Sequence, residues 1–484
     1  MYLGLDLGTS GLRAVIMDGA GQVHAEAQSP FKAEHPRSGW SEQDPDLWIE
    51  ACQNCFAQLA ADHRDKMQAV LGISLSGHMH GAVLLDAADR PLRPCLLWND
   101  TRAADEARRF DADPLFRAVS GNIVFPGFTA PKVAWVAQNE PDLFAKCATV
   151  MLPKDYLRLW LTGIRATDMS DAAGTSWLDV GARAWSEELV ETTGLRLDQL
   201  PNLLEGAAPA GTLRPDVATA YQLRAGVVVV AGGADNAVAA CGVGCFAEGD
   251  GFVSLGTSGV VLAAKDSFAP MPDTAVHSFC HAVPDRWYQM GVILAATDCM
   301  NWLSRNLGQS AAELSALVDG LPPEPTDLMF VPYLSGERTP HNDASIRGAF
   351  VGLDVGHGPA DLTKAVMQGV SFALVDNLQA LSATGTNLTR VLGIGGGTAS
   401  AAWVQMLATS LGVPIQLPVK GDFGAAVGAA RLAQLGTSGG DMASIMSKPA
   451  VAQTIDPDPA HAAGFAQAHQ RYQTLYPALK ELNP

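Results

Sequence analysis

Two aspartates and three glycine-rich turns carry the chemistry available to this sequence. Asp6 lies in Tyr2–Leu7, just before Gly8-Thr9-Ser10-Gly11. A Gly-Thr-Ser-Gly turn offers successive backbone N–H groups and two hydroxyls, which suits a phosphate-sized anion. A carboxylate beside that anion would repel it, so Asp6 suggests a metal ion between the two. The string Leu-Gly-Thr-Ser-Gly returns at Leu255–Gly259, half a chain length later, with Ser254 where the first copy has Asp6. One copy brings a carboxylate and the other only donors: Gly256, Thr257 and Ser258. That asymmetry suits a nucleotide clamp. A second acid, Asp235, follows four valines and the pair Gly232-Gly233. Ligands of open α/β sheets bind at the carboxyl ends of strands, where a general base belongs. The third turn is Gly395-Gly396-Gly397, open to a nucleotide's approach.

Around these stand groups that could read a polyhydroxylated ligand. Ser76-Gly77-His78-Met79-His80-Gly81 puts two imidazoles beside bare backbone, and both pair with hydroxyls. Trp98-Asn99-Asp100-Thr101-Arg102 sets an indole beside fixed polar groups. Plainer readings exist for each. The first hairpin could be an ordinary polar turn, Asn99 or Asp100 could cap a helix running to Arg109, and Asp235 could cap the helix after it. Gly395–Gly397 could be a simple strand-to-helix turn.

Elements must place these residues. Tyr2–Val15 reads as strand, tight turn, strand. Asp44 to about Asp62 is an amphipathic helix, with Trp48, Cys52, Cys55 and Leu59 on one face, so the lone C-x-x-C reads as core. Ala69–Leu75 and Gly81–Asp86 are strands flanking the histidine loop. Asp168–Thr175 reads as a polar loop near the site. Val227–Val230 is a strand buried on both faces. Gly291–Trp302 fits helix or strand. Phe330–Leu334 leads into the polar loop Ser335–His341. Asp361–Leu381 is a strong helix, Arg390–Ile394 a strand, and Ala399 to about Leu411 a helix. Asp422–Leu432 begins another, and Ala460–Leu482 is a terminal helix. A repeat at half the chain length predicts a duplicated fold, since solenoid periods are only tens of residues.

Bulk properties narrow the function. At 484 residues the chain is long enough for two full cores. A net charge of −18, from 32 basic and 50 acidic side chains, argues against nucleic acid or an anionic membrane as partner. Neither a secretory leader nor a membrane-length apolar run is visible. Eight scattered cysteines suit reduced thiols in a cytoplasmic protein.

In motif order the chain resembles the FGGY carbohydrate kinases over nearly its whole length. The residues that carry this are Asp6–Gly11, Met79–Gly81, Leu97–Asp100, Gly127–Lys132, Leu152–Arg158, Ser170–Thr175, Gly233–Asn236, Ser254–Gly259, Ser335–His341 and Gly395–Gly397 with Trp403. The resemblance implies an α/β chain of two duplicated ribonuclease H-like, actin-like ATPase domains flanking a catalytic cleft. Residues 1–245 would hold the sugar site and catalytic Asp. Residues 246–484 would bind ATP and end in a helix from about 460. It implies transfer of the ATP γ-phosphoryl group to the 5-hydroxyl of D-xylulose. Asp235 would be the base, and Asp6 the acid near Mg²⁺. Met79, His80, Trp98, Asp235 and Asn236 would meet the sugar. Thr9, Ser10, Gly11, Gly256, Thr257, Ser258, Gly396 and Gly397 would meet the nucleotide. A homodimer is compatible with this. Two residues depart from the common pattern: His78 stands where many relatives have Gln, which bears on sugar preference, and Asp422 stands where many have Glu. The rivals are a kinase of ribulose, gluconate or glycerol, and a sugar-responsive regulator that has lost turnover. The regulator should lack one carboxylate, and both are present.

Overall fold

A computed structural model describes residues 1–419, 421 and 423–482; the expectation for Asp422 lies outside them. Tyr2–Leu7 (β1) and Gly11–Met17 (β2) are antiparallel, and the Gly8 N–H closes their turn on the Gly11 carbonyl at 2.9 Å. Val23–Pro30 (β3) continues antiparallel beyond β2. On the other side Gly72–Gly77 (β4) runs parallel to β1. Pro209–Thr212 (β5) edges Val228–Val230 (β6), which runs parallel to β4. The order is therefore β5-β6-β4-β1-β2-β3, with Gly233–Ala234 (β7) paired to the end of β4.

The second sheet repeats this plan. Gly251–Leu255 (β8) and Gly259–Lys265 (β9) form the second hairpin. His277–Cys280 (β10) and Trp287–Ile293 (β11) extend it antiparallel. Val391–Ile394 (β12) and Ile415–Pro418 (β13) add in parallel beyond β8, and Val451–Ile455 (β14) closes the edge. The order is β10-β11-β9-β8-β12-β13-β14. In each sheet the hairpin's first strand is central, its second and the following long strand lie to one side, and two parallel strands lie to the other. The five-residue repeat is thus the trace of a duplicated sheet. The mixed α/β class and the two-sheet organisation agree with the expectation.

In the first sheet β1 and β6 are largely buried, which explains their apolar sequences. Asp46–Asp62 (α1) buries Trp48, Cys52, Cys55, Phe56 and Leu59 against the first sheet, so the C-x-x-C is core. Asp235–Gly242 (α2) leaves β7. In the second half Pro359–Ala383 (α3) buries Val366, Val370, Ala373, Leu374 and Leu381 at the expected spacing. Gly291–Trp302 proves to be two elements: the end of β11 and the start of a helix over Thr297–Leu307. The terminal helix is divided into Ala462–Gln473 and Leu475–Leu482, and Phe465, Ala468 and Tyr472 bury in the second core.

Ala425–Ser438 (α4) breaks the simple division into halves. It comes from the second half yet packs Ala426, Val427, Ala430 and Ala433 on Tyr2, Val15 and Met17 of the first sheet. The approach is close enough that a Cβ on Gly4 would lie 1.9 Å from the Ala426 carbonyl oxygen. Among the described residues no helix is long and apolar enough to cross a membrane.

Candidate active site

Three neighbouring strand ends assemble the acids. In the sheet register Asp6 lies opposite Ser76 on β4, and Ser76 also pairs with Gly233 on β7. Two strand spacings, about 10 Å of backbone, therefore separate the Asp6 strand from the one that delivers Asp235. Gly232 makes the bend possible: its φ is +82°, and a Cβ there would meet the Leu75 carbonyl oxygen at 2.1 Å. Asp235 then opens α2. The cap residue itself is Ala234, with no side-chain cap, so capping is not the job of Asp235. Its Oδ1 accepts from the Asn236 N–H at 2.7 Å and the Asn236 amide at 3.0 Å. Burial raises the Asp235 carboxyl to about 7; the Asn236 bonds oppose the rise and the charge of Asp6 adds to it. Asp6 is raised too, first by burial, against the pull of Ser76 and Arg13. The two acids are thus close enough for the charge of Asp6 to act on Asp235.

A cavity of about 290 Å³ opens beside Asp235. Met79, His80, Trp98 and Asn236, all expected sugar contacts, line it, as do Ser258 and Arg338 from the second half. His80 takes a left-handed backbone, φ +70°. Its Nδ1 lies 2.7 Å from the Gly174 carbonyl oxygen, and its ring stacks on Phe128 at 4.4 Å. A carbonyl only accepts, so Nδ1 carries the proton and Nε2 is left as an acceptor. Burial lowers its pKa to about 3 and keeps the ring neutral. His78 does not line the cavity. It is buried edge-on against Trp48, 5.7 Å between centroids, so only one of the two histidines can read a ligand here.

Trp98 is 44% exposed, and its indole N–H donates to the Thr9 hydroxyl at 3.0 Å. This ties the cavity wall to the first Gly-Thr-Ser-Gly turn. Beyond Trp98 the expected helix cap is not formed: the helix starts at Ala104 without a side-chain cap. Asp100 is instead buried, accepting from the Ser41 N–H at 2.6 Å and pairing with Arg102 at 2.7 Å. Arg102 lies over Trp40 at 3.5 Å. That cluster fastens the loop and does not line the cavity.

Both Gly-Thr-Ser-Gly turns hold their carbonyls back and leave amides free. Gln43 donates to the Thr9 carbonyl at 3.1 Å. In the second turn the Thr297 N–H donates to the Gly256 carbonyl at 2.9 Å, and the Ala296 N–H to that of Thr257 at 2.8 Å. The amides of Thr9, Ser10, Thr257 and Ser258 donate to no described residue. Ser10 is exposed and Gly11 half-buried at the tip of the first turn. A second cavity, about 550 Å³, begins at Thr297, Gly396 and Gly397 and is walled by Met300, Ala312, Ala316 and Trp403. Gly395 has φ +91° and would strike the Leu255 carbonyl oxygen with a Cβ, whereas a Cβ on Gly396 would meet nothing. The triple glycine therefore does more than turn the chain: it brings this cavity up to the second hairpin. The helix that follows starts at Ala401, two residues later than expected, capped by Ser400.

Behind the acids lies a charged cluster whose role the sequence did not reveal. Asp168–Thr175, expected as a loop, is a short helix over Met169–Ala172 capped by Asp168, then a 3₁₀ turn. Lys154 contacts Asp155 at 2.5 Å, Asp168 at 2.8 Å and Asp171 at 3.4 Å, all fully buried. Ser170 donates to Asp168 at 2.5 Å and accepts the Ala234 N–H at 3.0 Å, bracing the residue before Asp235. The motif D-x-S-D was visible, but its burial was not. Among the described residues no group of three or more His, Cys, Asp or Glu could hold a metal ion.

The N-terminal domain of the FGGY family of carbohydrate kinases matches residues 1–242, and its C-terminal domain matches residues 251–437. The chain belongs to the FGGY family of carbohydrate kinases. Over 485 residues, all of both chains, it is 43% identical to the xylulose kinase of Escherichia coli K12. It is 36% identical to that of Bacillus subtilis, covering 99% of this chain and 96% of the relative. A crystal structure described as a "xyloylose kinase" from Brucella ovis superposes with TM-score 0.97 at 53% identity, covering 99% of each chain. As an FGGY kinase the chain is a sugar kinase.

Proposed function

We propose that this FGGY kinase transfers the γ-phosphoryl group of ATP to the 5-hydroxyl of D-xylulose. One observation carries the reading: Asp235, with its carboxyl near 7, and Ser258 of the second glycine turn line one sugar-sized cavity, and that turn is hydrogen-bonded to Thr297 at the edge of the larger one. The sugar is chosen by the full-length relatives, which are xylulose kinases. Gluconate and glycerol kinases share the fold at 24% and 19% identity and add nothing on substrate.

Phosphoryl transfer asks of a protein alignment and charge neutralisation rather than covalent help. Asp235 accepts the proton of the attacking hydroxyl, its rotamer fixed by Asn236. The amides of Thr9, Ser10, Thr257 and Ser258 hold phosphate oxygens. The adenosine end lies along Gly396, Gly397 and Trp403. Asp6 fits a Mg²⁺ ion carried on the phosphates, since such ions keep several waters and need only one or two carboxylates. A Mg²⁺ ion held there through Asp6 would offset charge on the transferring group. We assign sugar and base to residues 1–245 and nucleotide to 246–484, with α4 crossing onto the first sheet. A coupled ADP assay over D-xylulose, D-ribulose, gluconate and glycerol tests the reading. D-xylulose should give the highest kcat/KM; turnover on another acceptor alone, or none, overturns it.

A further inference from the structure

Arg338 reaches the sugar cavity from the second half, and nothing in the chemistry above uses it. Its flanks are pinned. Glu337 accepts the Leu294 N–H at 3.3 Å and the Arg338 N–H at 2.7 Å. The Thr339 N–H donates to the Val292 carbonyl at 3.0 Å, and the Thr339 hydroxyl accepts the Val292 N–H at 3.1 Å. Both neighbours thus lock the loop onto β11 and its end. The guanidinium between them lines the cavity and lies over the Phe125 ring at 4.6 Å. It makes no hydrogen bond or ion pair with any described residue. The residue is half-buried, so its N–H donors face the cavity and its solvent and are open to an acceptor that a ligand supplies.

The guanidinium and the base line the same cavity, the one over Phe125 and the other hydrogen-bonded to Asn236. Phe125 packs on His277 at 5.3 Å and on Phe128 at 5.4 Å, which places Arg338 along the aromatic wall. Its charge bears on His80 and His277, whereas the groups acting on Asp235 are Asn236 and Asp6. A sugar whose 5-hydroxyl meets Asp235 leaves its C1–C2 end for the other polar groups of the cavity, of which Arg338 is the cation. We propose that Arg338 determines specificity by donating to the carbonyl oxygen of an open-chain 2-ketose. A carbonyl only accepts and a guanidinium only donates, so the match is one of chemistry as well as place. The assignment rests on the ketose-kinase reading above. It also makes the second half a partner in sugar recognition, not only in nucleotide binding.

The test compares D-xylulose with D-xylitol, the polyol lacking the carbonyl, in wild type, Arg338→Met and Arg338→Lys. Arg338→Met should raise KM for D-xylulose at least tenfold and leave KM for ATP within threefold. Its kcat/KM for xylitol should change less than threefold, so the ketose-to-polyol ratio falls about tenfold. Arg338→Lys keeps the charge but loses the fork; it should lower the ratio at least threefold and by itself decides the matter if the Met variant does not fold. An unchanged ratio in the folded variants, or equal losses on both acceptors, overturns the role of Arg338 alone. A wild-type enzyme that does not turn over ketoses overturns the functional reading and this assignment with it.

Discussion

Asp235 ties stability and activity to one proton. Its carboxyl, raised by burial to about 7, must be ionised to accept a proton. In wild type kcat/KM for sugar should therefore fall about tenfold per pH unit below about 7. Asp235→Asn should lose about 10²–10⁴ in kcat with ATP affinity kept, read by single-turnover kinetics and nucleotide calorimetry. The sign for stability is opposite. A carboxyl raised above its unfolded value makes the folded state bind the proton more tightly, so stability falls as pH rises from about 4 to 7. Asn does not ionise. The variant should melt above wild type at pH 8, and the gap should close toward pH 4; a lower melting point at pH 8 would contradict the burial of this acid. Both acids were legible from their place at strand ends. The burial that tunes them was not, because it comes from chains distant in sequence.

Elements act here through close approach. α4 touches α2 as tightly as it touches the first sheet: a Cβ on Gly428 would lie 1.9 Å from the Val238 carbonyl oxygen. Gly428→Ala should cost on the order of 1–3 kcal/mol or more in urea unfolding, because backbone must move. Gly320→Ala, where a Cβ meets nothing, should change stability by less than about 0.5 kcal/mol. The short helix that carries Ser170 is the second case. Ser170→Ala leaves the buried Ala234 N–H without its acceptor, while the Asp168 oxygen keeps the backbone N–H groups of Ser170 and Asp171, a loss of about 1–3 kcal/mol. Part of this should appear as a lower kcat at unchanged KM for ATP, since the slackened residue precedes Asp235. Equal kcat in a folded variant would confine Ser170 to stability. The small residues of α4 read as a helix start packing close to a neighbour, but not which neighbour; D-M-S-D read as loop, because a buried lysine partner was missing from the local pattern.

Taken whole, the molecule is two copies of one sheet plan with the working groups at their facing carboxyl ends. All eight cysteines are buried and unpaired. In the native protein a thiol reagent should react slowly with all of them, and unfolding in guanidinium should release eight fast equivalents. Early reaction of one or two would mean that part of a core opens well below the global transition. The surplus of acidic side chains, 50 against 32 basic, leaves anion binding to local amides rather than to a general field.

The sequence alone determined what repetition and residue type can carry. The doubled Leu-Gly-Thr-Ser-Gly announced two related sheets, the valine run with its glycines placed Asp235 at a strand end, and helical spacing assigned Cys52 and Cys55 to core. These signals are local, so a linear reading finds them. Only the tertiary structure decided that His80 faces the cavity while His78 packs on Trp48, that Asp100 rivets a loop, that α4 crosses to the first sheet, and that Arg338 lines the cavity beside Asp235 from the far half. Each depends on which distant surface a side chain meets, and chain order does not encode that directly.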